Sequence, residues 1–177
     1  DGAIEEGVFY ESVNFAVLKN LPVLFICENN LYSVYSPLGV RQPANRKIHE
    51  MVKALGIEAT SGNGNNVSEV HKMTNNAVEK IKVGKGPQFI EFSTYRWLEH
   101  CGPNYDNDIG YRTEQEFLEW KEKDPVRYCE ENLLDIPENE IANYRIKTQT
   151  TIDEAFHFAK QSSFPDPDEA HKGLFAD

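Results

Sequence analysis

The stretch Asp1-Gly2-Ala3-Ile4-Glu5-Glu6-Gly7 reads as a glycine turn, and Glu28-Asn29-Asn30-Leu31-Tyr32 follows the next predicted strand, at 22–27. That short apolar run is typical of a buried strand. Asp1 and Asn30 stand 29 positions apart (30 − 1), at the carboxyl ends of two strands, where ligands gather in open α/β sheets. A carboxylate, an amide oxygen and nearby backbone carbonyls suit magnesium, which usually also coordinates phosphate groups. We therefore expect a site for a phosphorylated ligand here, with the next helix pointing its N-terminus at the phosphates.

Helices and strands alternate along the rest of the chain. Apolar residues at helical spacing predict amphipathic helices around 9–17, 48–55 and 66–81. Asn66, three residues before Glu69, is a suitable N-cap for the third of these helices. A strand is predicted at 88–94, after Gly84-Lys85-Gly86-Pro87. This succession predicts an α/β fold with a mostly parallel sheet flanked by helices.

Composition sets limits on the function. The 177 residues suffice for one domain, and 40% hydrophobic with 27% charged residues is ordinary for a globular protein. A net charge of −11 argues against nucleic acid or an anionic membrane as the partner. Cys27, Cys101 and Cys129 are an odd number of scattered cysteines without metal spacing, so they indicate a reducing compartment. We expect a cytoplasmic protein with no membrane partner.

The two opening segments together resemble a known cofactor motif. The thiamine-diphosphate motif is Gly-Asp-Gly followed further along by Asn-Asn, and the chain would begin inside it, after its first glycine. The wider pattern is Asp-Gly-Ala-x-x-Glu-Gly at 1–7 with Glu11, Asn14, Leu21-Pro22 and Glu28-Asn29-Asn30-x-Tyr32. It is similar to the alpha subunit of the decarboxylating component of 2-oxo acid dehydrogenase complexes. Pyruvate, branched-chain and acetoin dehydrogenases belong to that family.

The resemblance implies a fold and a set of site residues. It implies the thiamine-diphosphate-binding fold, with an α/β domain at 1–125 that lacks its N-terminal part and a helical C-terminal arm at 126–177 packed on that domain. Helices are predicted at 114–124, near the end of the domain, and at 153–160, in the arm. The diphosphate and magnesium would be held by Asp1, Gly2, Ala3, Asn30 and Tyr32. Of these, the metal ligands would be Asp1, Asn30 and the backbone carbonyl of Tyr32.

A second chemical segment follows the strand at 88–94. It runs from Thr94-Tyr95-Arg96-Trp97-Leu98-Glu99-His100-Cys101 to Tyr111-Arg112-Thr113. From the residues alone, an exposed loop histidine without a role is the more frequent case. The family, however, has a long loop over its active-site channel with Thr-Tyr-Arg, then Gly-His, then Tyr-Arg, and His100 falls on the loop histidine. Since histidine titrates at about pH 6.5, it suits proton transfer at neutral pH, and the resemblance implies that His100 is catalytic.

This loop also departs from the family pattern. Leu98-Glu99 stands where the family usually has His-Gly, and Cys101 stands where mitochondrial members carry a regulatory phosphoserine. Glu99 would bring negative charge near a channel for an anionic 2-oxo acid, and we expect Arg96 and Arg112 to offset that charge. These departures put kinase control and an ordinary pyruvate substrate in doubt.

The resemblance implies an enzyme that needs partners. The thiazolium carbanion of thiamine diphosphate would attack a 2-oxo acid, carbon dioxide would leave, and the acyl group would pass to a lipoyl domain. A beta subunit would grip the aminopyrimidine, in a heterotetramer. One alternative is a transketolase-like or acetolactate-synthase-like enzyme, against which the loop with His100 speaks. Another is a noncatalytic interaction subunit, but the intact Asp1, Asn30 and His100 argue against it.

Overall fold

A parallel sheet organises the N-terminal part of the chain in the computed structural model, which describes residues 1–132 and 135–174. In chain order the strands are β1 Leu24–Asn29, β2 Tyr32–Ser33, β3 Ser36–Pro37, β4 Glu58–Asn63 and β5 Gln88–Ser93. The helices are α1 Gly7–Leu18, α2 Leu38–Arg41, α3 Ile48–Lys53, α4 Val67–Lys82, α5 Glu114–Lys121, α6 Pro125–Asn132 and α7 Glu138–Gln161, with short 3₁₀ helices at Ala3–Glu5 and Pro167–His171. The predicted α/β class, with a parallel sheet flanked by helices, is confirmed.

The register of the sheet sets the position of the candidate site. β5 lies between β1 and β4 and pairs with both in parallel. Its last residue, Ser93, is level with Asn29 of β1 and Asn63 of β4. Since parallel strands end at one edge, the segments that follow them begin side by side.

Apolar residues cover both faces of this sheet. On one face, Val13 of α1 and Val52 of α3 are fully buried against Phe89 of β5. On the other face, Ile90 and Phe92 of β5 pack with Ala77 of α4. The alternation of Phe89 and Ile90 between two clusters is the period of two expected of a strand covered on both sides.

Two details of the predicted strands need correction. The strand predicted at 22–27 lies at Leu24–Asn29, and it is not uniformly buried, because Ile26 is 46% exposed. β1 forms an edge of the described sheet, so its alternate side chains are less covered. β4 was not predicted, because Glu58-Ala-Thr-Ser-Gly-Asn63 has no apolar alternation. Gly62 and Asn63 are the last residues of β4.

The predicted helices agree with the structure more closely than the predicted strands do. Asn66 caps α4, its side-chain oxygen accepting from the backbone nitrogen of Glu69 at 3.1 Å, as predicted. The helix predicted at 114–124 is α5, which ends at Lys121, and Pro125 then starts α6. The helix predicted at 153–160 is the last part of α7, which begins at Glu138.

The chain divides into two compact units, Asp1–Leu133 and Leu134–Asp177. The first contains the sheet, and α7 is the long helix of the second. The domain boundary at 125/126 and the packing of 126–177 on the first domain stay predictions, and residues 133–134 and 175–177 of that range lie outside the described part. None of the helices described is long and apolar enough to cross a membrane.

Candidate functional site

Asp1 lies beside the end of β1 with a largely buried carboxylate. Its amino nitrogen donates to the carbonyl oxygen of Glu28 at 3.3 Å, and its side chain is 1% exposed. One carboxylate oxygen, Oδ2, pairs with the guanidinium of Arg41. The other, Oδ1, is buried and has no hydrogen-bond partner within the described residues. Because an unsatisfied buried acceptor costs about 1–3 kcal/mol, this oxygen is suited to receive a ligand.

Gly2 is packed too closely against Ser33 for a larger residue to fit. A Cβ atom at this position would lie 2.6 Å from Oγ and 2.8 Å from Cβ of Ser33 on β2. Gly2 has an ordinary helical backbone, with φ −64°, so its role here is close packing and not an unusual conformation. Ala3 then begins the 3₁₀ helix that leads into α1.

The loop after β1 carries the other predicted ligands. Asn30 Oδ1 accepts from the backbone nitrogen of Tyr32 at 3.0 Å, and Asn29 Oδ1 accepts from that of Leu31 at 3.2 Å. Leu31 has a φ of 72°, in the left-handed region that a β-branched or bulky residue rarely adopts. An amide oxygen has two lone pairs, so Asn30 Oδ1 keeps acceptor capacity for a cation.

These residues fit a magnesium ion with a diphosphate. Asp1 Oδ1, Asn30 Oδ1 and the carbonyl of Tyr32 are all oxygen donors, as a hard cation requires. The set contains a single carboxylate, and the described chain shows no group of three or more His, Cys, Asp or Glu side chains that could hold a metal ion. A magnesium ion bound by these oxygens would complete its shell with phosphate and water.

Tyr32 also connects this loop to α5. Its hydroxyl donates to the carboxylate of Glu116, with 2.8 Å to each oxygen. Burial first, and then the neighbouring Glu116 carboxylate, raise the pKa of Tyr32 well above its ordinary value. The hydroxyl therefore stays protonated at neutral pH and acts as a donor.

A cavity of about 470 Å³ opens next to Asn30 on the α4 side of the sheet. This volume lies within the range of small-molecule sites, roughly 300–1,000 Å³. Asn30, Thr94 and Arg96 form a polar part of its lining, and Ile26, Val70 and Phe92 form an apolar part.

The loop from Thr94 to Thr113 is organised around a buried ion pair between Arg112 and Asp106, whose side chains are 0% and 4% exposed. The guanidinium of Arg112 also donates to the carbonyl oxygens of Arg96 at 2.6 Å and Trp97 at 3.2 Å. It lies 5.1 Å from the ring centre of Tyr95, within reach of a cation–π contact. Burial raises the pKa of Tyr95 to about 12.

Arg96 ties this loop to the segment after β1. Its guanidinium donates to the carbonyl of Val34 at 3.0 Å and to the hydroxyl of Tyr111 at 2.9 Å. His100 is exposed, and its Nδ1 lies 3.5 Å from Nη1 of Arg96. The loop thus brings His100 near the residues that follow Asn30 without placing it among the predicted metal ligands.

The two arginines, which were expected to offset the charge of Glu99, form ion pairs with a different carboxylate. Arg112 and Arg96 pair with Asp106, at 3.9 Å in the case of Arg96, and not with Glu99. The carboxylate of Glu99 instead accepts from the backbone and side-chain nitrogens of Asn104, at 3.2 and 2.7 Å. The pairing of Asp106 with these arginines was not predicted, because contact between residues distant in the sequence has no local signal.

Comparisons with known proteins agree on one family. The model of the family described as Dehydrogenase E1 component matches residues 1–168. The chain is 30% identical over 180 residues to the pyruvate dehydrogenase E1 component subunit alpha of Porphyra purpurea, covering 100% of this chain and 51% of that relative. It is 36% identical over 126 residues to the 2-oxoisovalerate dehydrogenase subunit alpha of Bacillus subtilis (strain 168), covering 71% of this chain and 37% of that relative.

A third relative, the pyruvate dehydrogenase E1 component subunit alpha of Rickettsia conorii, is 28% identical over 178 residues, which are 99% of this chain and 53% of the relative. The chain therefore spans about half the length of the pyruvate dehydrogenase relatives it matches.

Proposed function

Since this chain belongs to the Dehydrogenase E1 component family of 2-oxo acid dehydrogenases, which depends on thiamine diphosphate, we propose that it holds the diphosphate of that cofactor through magnesium. The whole protein then decarboxylates a 2-oxo acid and passes the acyl group to a lipoyl domain. The observation that carries the proposal is the Asp1 carboxylate. It is buried at the carboxyl edge of the sheet, and Oδ1 is left without a partner among the described residues.

Each residue of the site has a role in binding. Asp1 Oδ1, Asn30 Oδ1 and the carbonyl of Tyr32 would ligate the magnesium, and the backbone at Gly2 and Ala3 would hold the diphosphate. Ser33, packed against Gly2, leaves no room for a larger residue in that turn. When bound, thiamine diphosphate supplies the carbanion chemistry of decarboxylation, so this chemistry is the cofactor's.

His100 has a separate role on the other side of the site. It lies on an exposed loop, beside Arg96, and outside the metal-binding turn. We assign it proton transfer to or from the substrate, or assistance in acyl transfer to the lipoyl domain, because an imidazole both donates and accepts protons near neutral pH.

The proposed enzyme is active only with a beta subunit. That subunit contributes the pyrimidine-binding domain in a heterotetramer, and a lipoyl domain of an acyltransferase accepts the acyl group. The similarity of this chain to alpha subunits of such enzymes supports this partner. Cytoplasmic location also remains a prediction.

Two measurements test the proposal on the full-length subunit paired with its beta subunit. Calorimetry measures thiamine-diphosphate binding with and without magnesium, and a panel of 2-oxo acids is assayed for decarboxylation and for acylation of a lipoyl domain. Asp1→Asn should abolish magnesium-dependent binding, whereas Glu79→Gln, at an exposed carboxylate of α4, should bind as the wild type does.

The possible results separate the alternatives. Unchanged cofactor affinity in Asp1→Asn contradicts the assignment of the metal site. Cofactor binding with transfer of the two-carbon unit to an aldehyde or a second 2-oxo acid, and none to lipoyl, indicates a transketolase-like or acetolactate-synthase-like enzyme. Failure of the wild-type complex to bind the cofactor indicates an interaction subunit.

A further inference from the structure

Arg41 joins three segments around the Asp1 carboxylate. It is the last residue of α2, and its side chain is 11% exposed. Its guanidinium pairs with Oδ2 of Asp1, donates to Oε1 of Glu5 at 2.6 Å and donates through Nε to the carbonyl of Ser36 at 3.1 Å. One side chain therefore fixes the first turn of the chain to the β2–β3 hairpin.

We propose that Arg41 is a positioning residue for the metal site, because it holds Oδ2 of Asp1 and thereby leaves Oδ1 available to the metal. This inference rests on the proposed function, in which Asp1 ligates magnesium. A carboxylate with two free oxygens can turn and chelate in several ways. With one oxygen engaged by a fixed guanidinium, the orientation of the other is set before the metal binds.

Arg41 is itself held in place by its surroundings. Glu5 Oε1 accepts from Arg41 and also from Nε2 of Gln42, at 2.7 Å. Desolvation raises the pKa of Glu5, but the hydrogen bonds from Gln42 and Arg41 outweigh it and leave the pKa below its ordinary value. Glu5 is therefore ionised at neutral pH, and the guanidinium keeps two anionic partners.

Arginine is suited to this position in a way that lysine is not. A guanidinium presents several N–H donors in a rigid plane, so it engages Asp1, Glu5 and Ser36 at once. A lysine ammonium carries the same charge but is a compact point charge on a flexible stem. The variant Arg41→Lys thus retains the positive charge but loses the planar set of N–H donors. It therefore distinguishes positioning of the Asp1 carboxylate from simple neutralisation of its charge.

Comparing magnesium with calcium distinguishes a misplaced Asp1 carboxylate from general destabilisation of the protein. Magnesium demands near-ideal octahedral geometry, whereas calcium accepts 6–8 oxygen ligands in flexible arrangements at about 2.3–2.6 Å. A misplaced Asp1 carboxylate should therefore weaken magnesium binding more than calcium binding. A variant that is only partly folded would lose both equally.

The experiment uses the full-length subunit with its beta subunit. Thiamine-diphosphate binding is followed by quenching of intrinsic fluorescence while magnesium or calcium is titrated. For Arg41→Gln we expect the magnesium concentration at half-saturation to rise by roughly 10–100-fold, as for loss of residues that orient metal ligands, with a smaller rise for calcium. Arg46→Gln, an exposed arginine of the same segment, should behave as the wild type.

Each result decides the matter. If the wild-type complex binds no cofactor in magnesium, the proposed function fails, and this inference with it. If the wild type binds and Arg41→Gln has the same magnesium requirement, only the role of Arg41 is wrong. A lower magnesium requirement in Arg41→Gln would mean that the guanidinium competes with the metal, which also overturns the inference. If Arg41→Gln does not fold, Arg41→Lys is the test variant. An unchanged magnesium requirement in Arg41→Lys would contradict positioning of Asp1 by the planar guanidinium.

Discussion

The side-chain amide of Asn29 donates a hydrogen bond of 2.8 Å to Oε1 of Glu91, across the pair of strands β1 and β5. The other oxygen, Oε2, accepts from the backbone nitrogen of His49 at 3.0 Å and lies 2.8 Å from its Nδ1. Glu91 therefore connects the end of β1, directly before Asn30, to the first turn of α3. The predicted metal loop is anchored to the core by this polar network.

Loss of the Glu91 carboxylate should destabilise the fold. Glu91→Ala leaves the Asn29 amide and the His49 backbone nitrogen without their acceptor, and we expect the free energy of unfolding to fall by about 2 kcal/mol or more, since hydrogen bonds to charged groups contribute roughly 1.5–3 kcal/mol. Urea unfolding followed by circular dichroism measures this change. Glu79→Ala, at a carboxylate that is 67% exposed on α4, is the control and should change stability by about 0.5 kcal/mol or less. Equal effects of the two variants would contradict an anchoring role.

Gly2→Ala should weaken cofactor binding, because the added Cβ clashes with Ser33. The new Cβ would meet Oγ and Cβ of Ser33 at 2.6 and 2.8 Å, and overpacking of this kind costs about 1–3 kcal/mol. We expect the affinity for thiamine diphosphate with magnesium to fall in the full-length complex, measured by calorimetry. Ser33→Gly removes both clashing atoms, so the double variant should recover most of the affinity. If it does not, the clash with Ser33 is not the cause.

His100→Ala should separate catalysis from cofactor binding. Because His100 is exposed on its loop and near Arg96, we expect magnesium and thiamine-diphosphate affinities close to wild type. Reductive acylation of a lipoyl domain should slow by roughly 10²–10⁴-fold, as for loss of a positioned acid–base group. His71→Ala, at an exposed histidine of α4, is the matched control. Wild-type turnover of the best substrate by His100→Ala would show that this histidine has no catalytic role.

The cysteines should differ in reactivity. Cys27 is buried in the sheet, whereas Cys101 is exposed in the loop, and burial raises the pKa of the Cys27 thiol. Because the thiolate is the reactive form, Cys101 should be labelled first at neutral pH. Labelling of Cys27 should begin only at higher pH or after unfolding.

Mass spectrometry of the chain after brief treatment with iodoacetamide locates the label. The urea-unfolded chain is the control, in which the two cysteines should react at similar rates. Cys27 labelled as fast as Cys101 in the native protein would contradict its burial beneath α1 and α3.

Local signals in the sequence determined the fold class and several elements. The helical spacing of apolar residues predicted α1, α3 and α4, and the capping pair Asn66 and Glu69 placed the start of α4 at the residue observed. Such signals depend on neighbours one to four positions apart, so they can be read without the fold. The spacing of Asp1 and Asn30 also predicted two ligands at one edge of a sheet. Metal binding by these two residues remains a prediction.

The partners of the polar side chains were decided only by the tertiary structure. Arg41 is 40 positions from Asp1, and Glu91 is 62 positions from Asn29. A charged residue in the sequence carries no sign of which distant group it will face, because the pairing depends on how strands and helices pack. β4 was missed for a related reason: its polar residues form a strand because β5 offers them a paired edge. The sequence determined the chemistry that the site could contain, and packing determined which oxygen of Asp1 is engaged and which is left free.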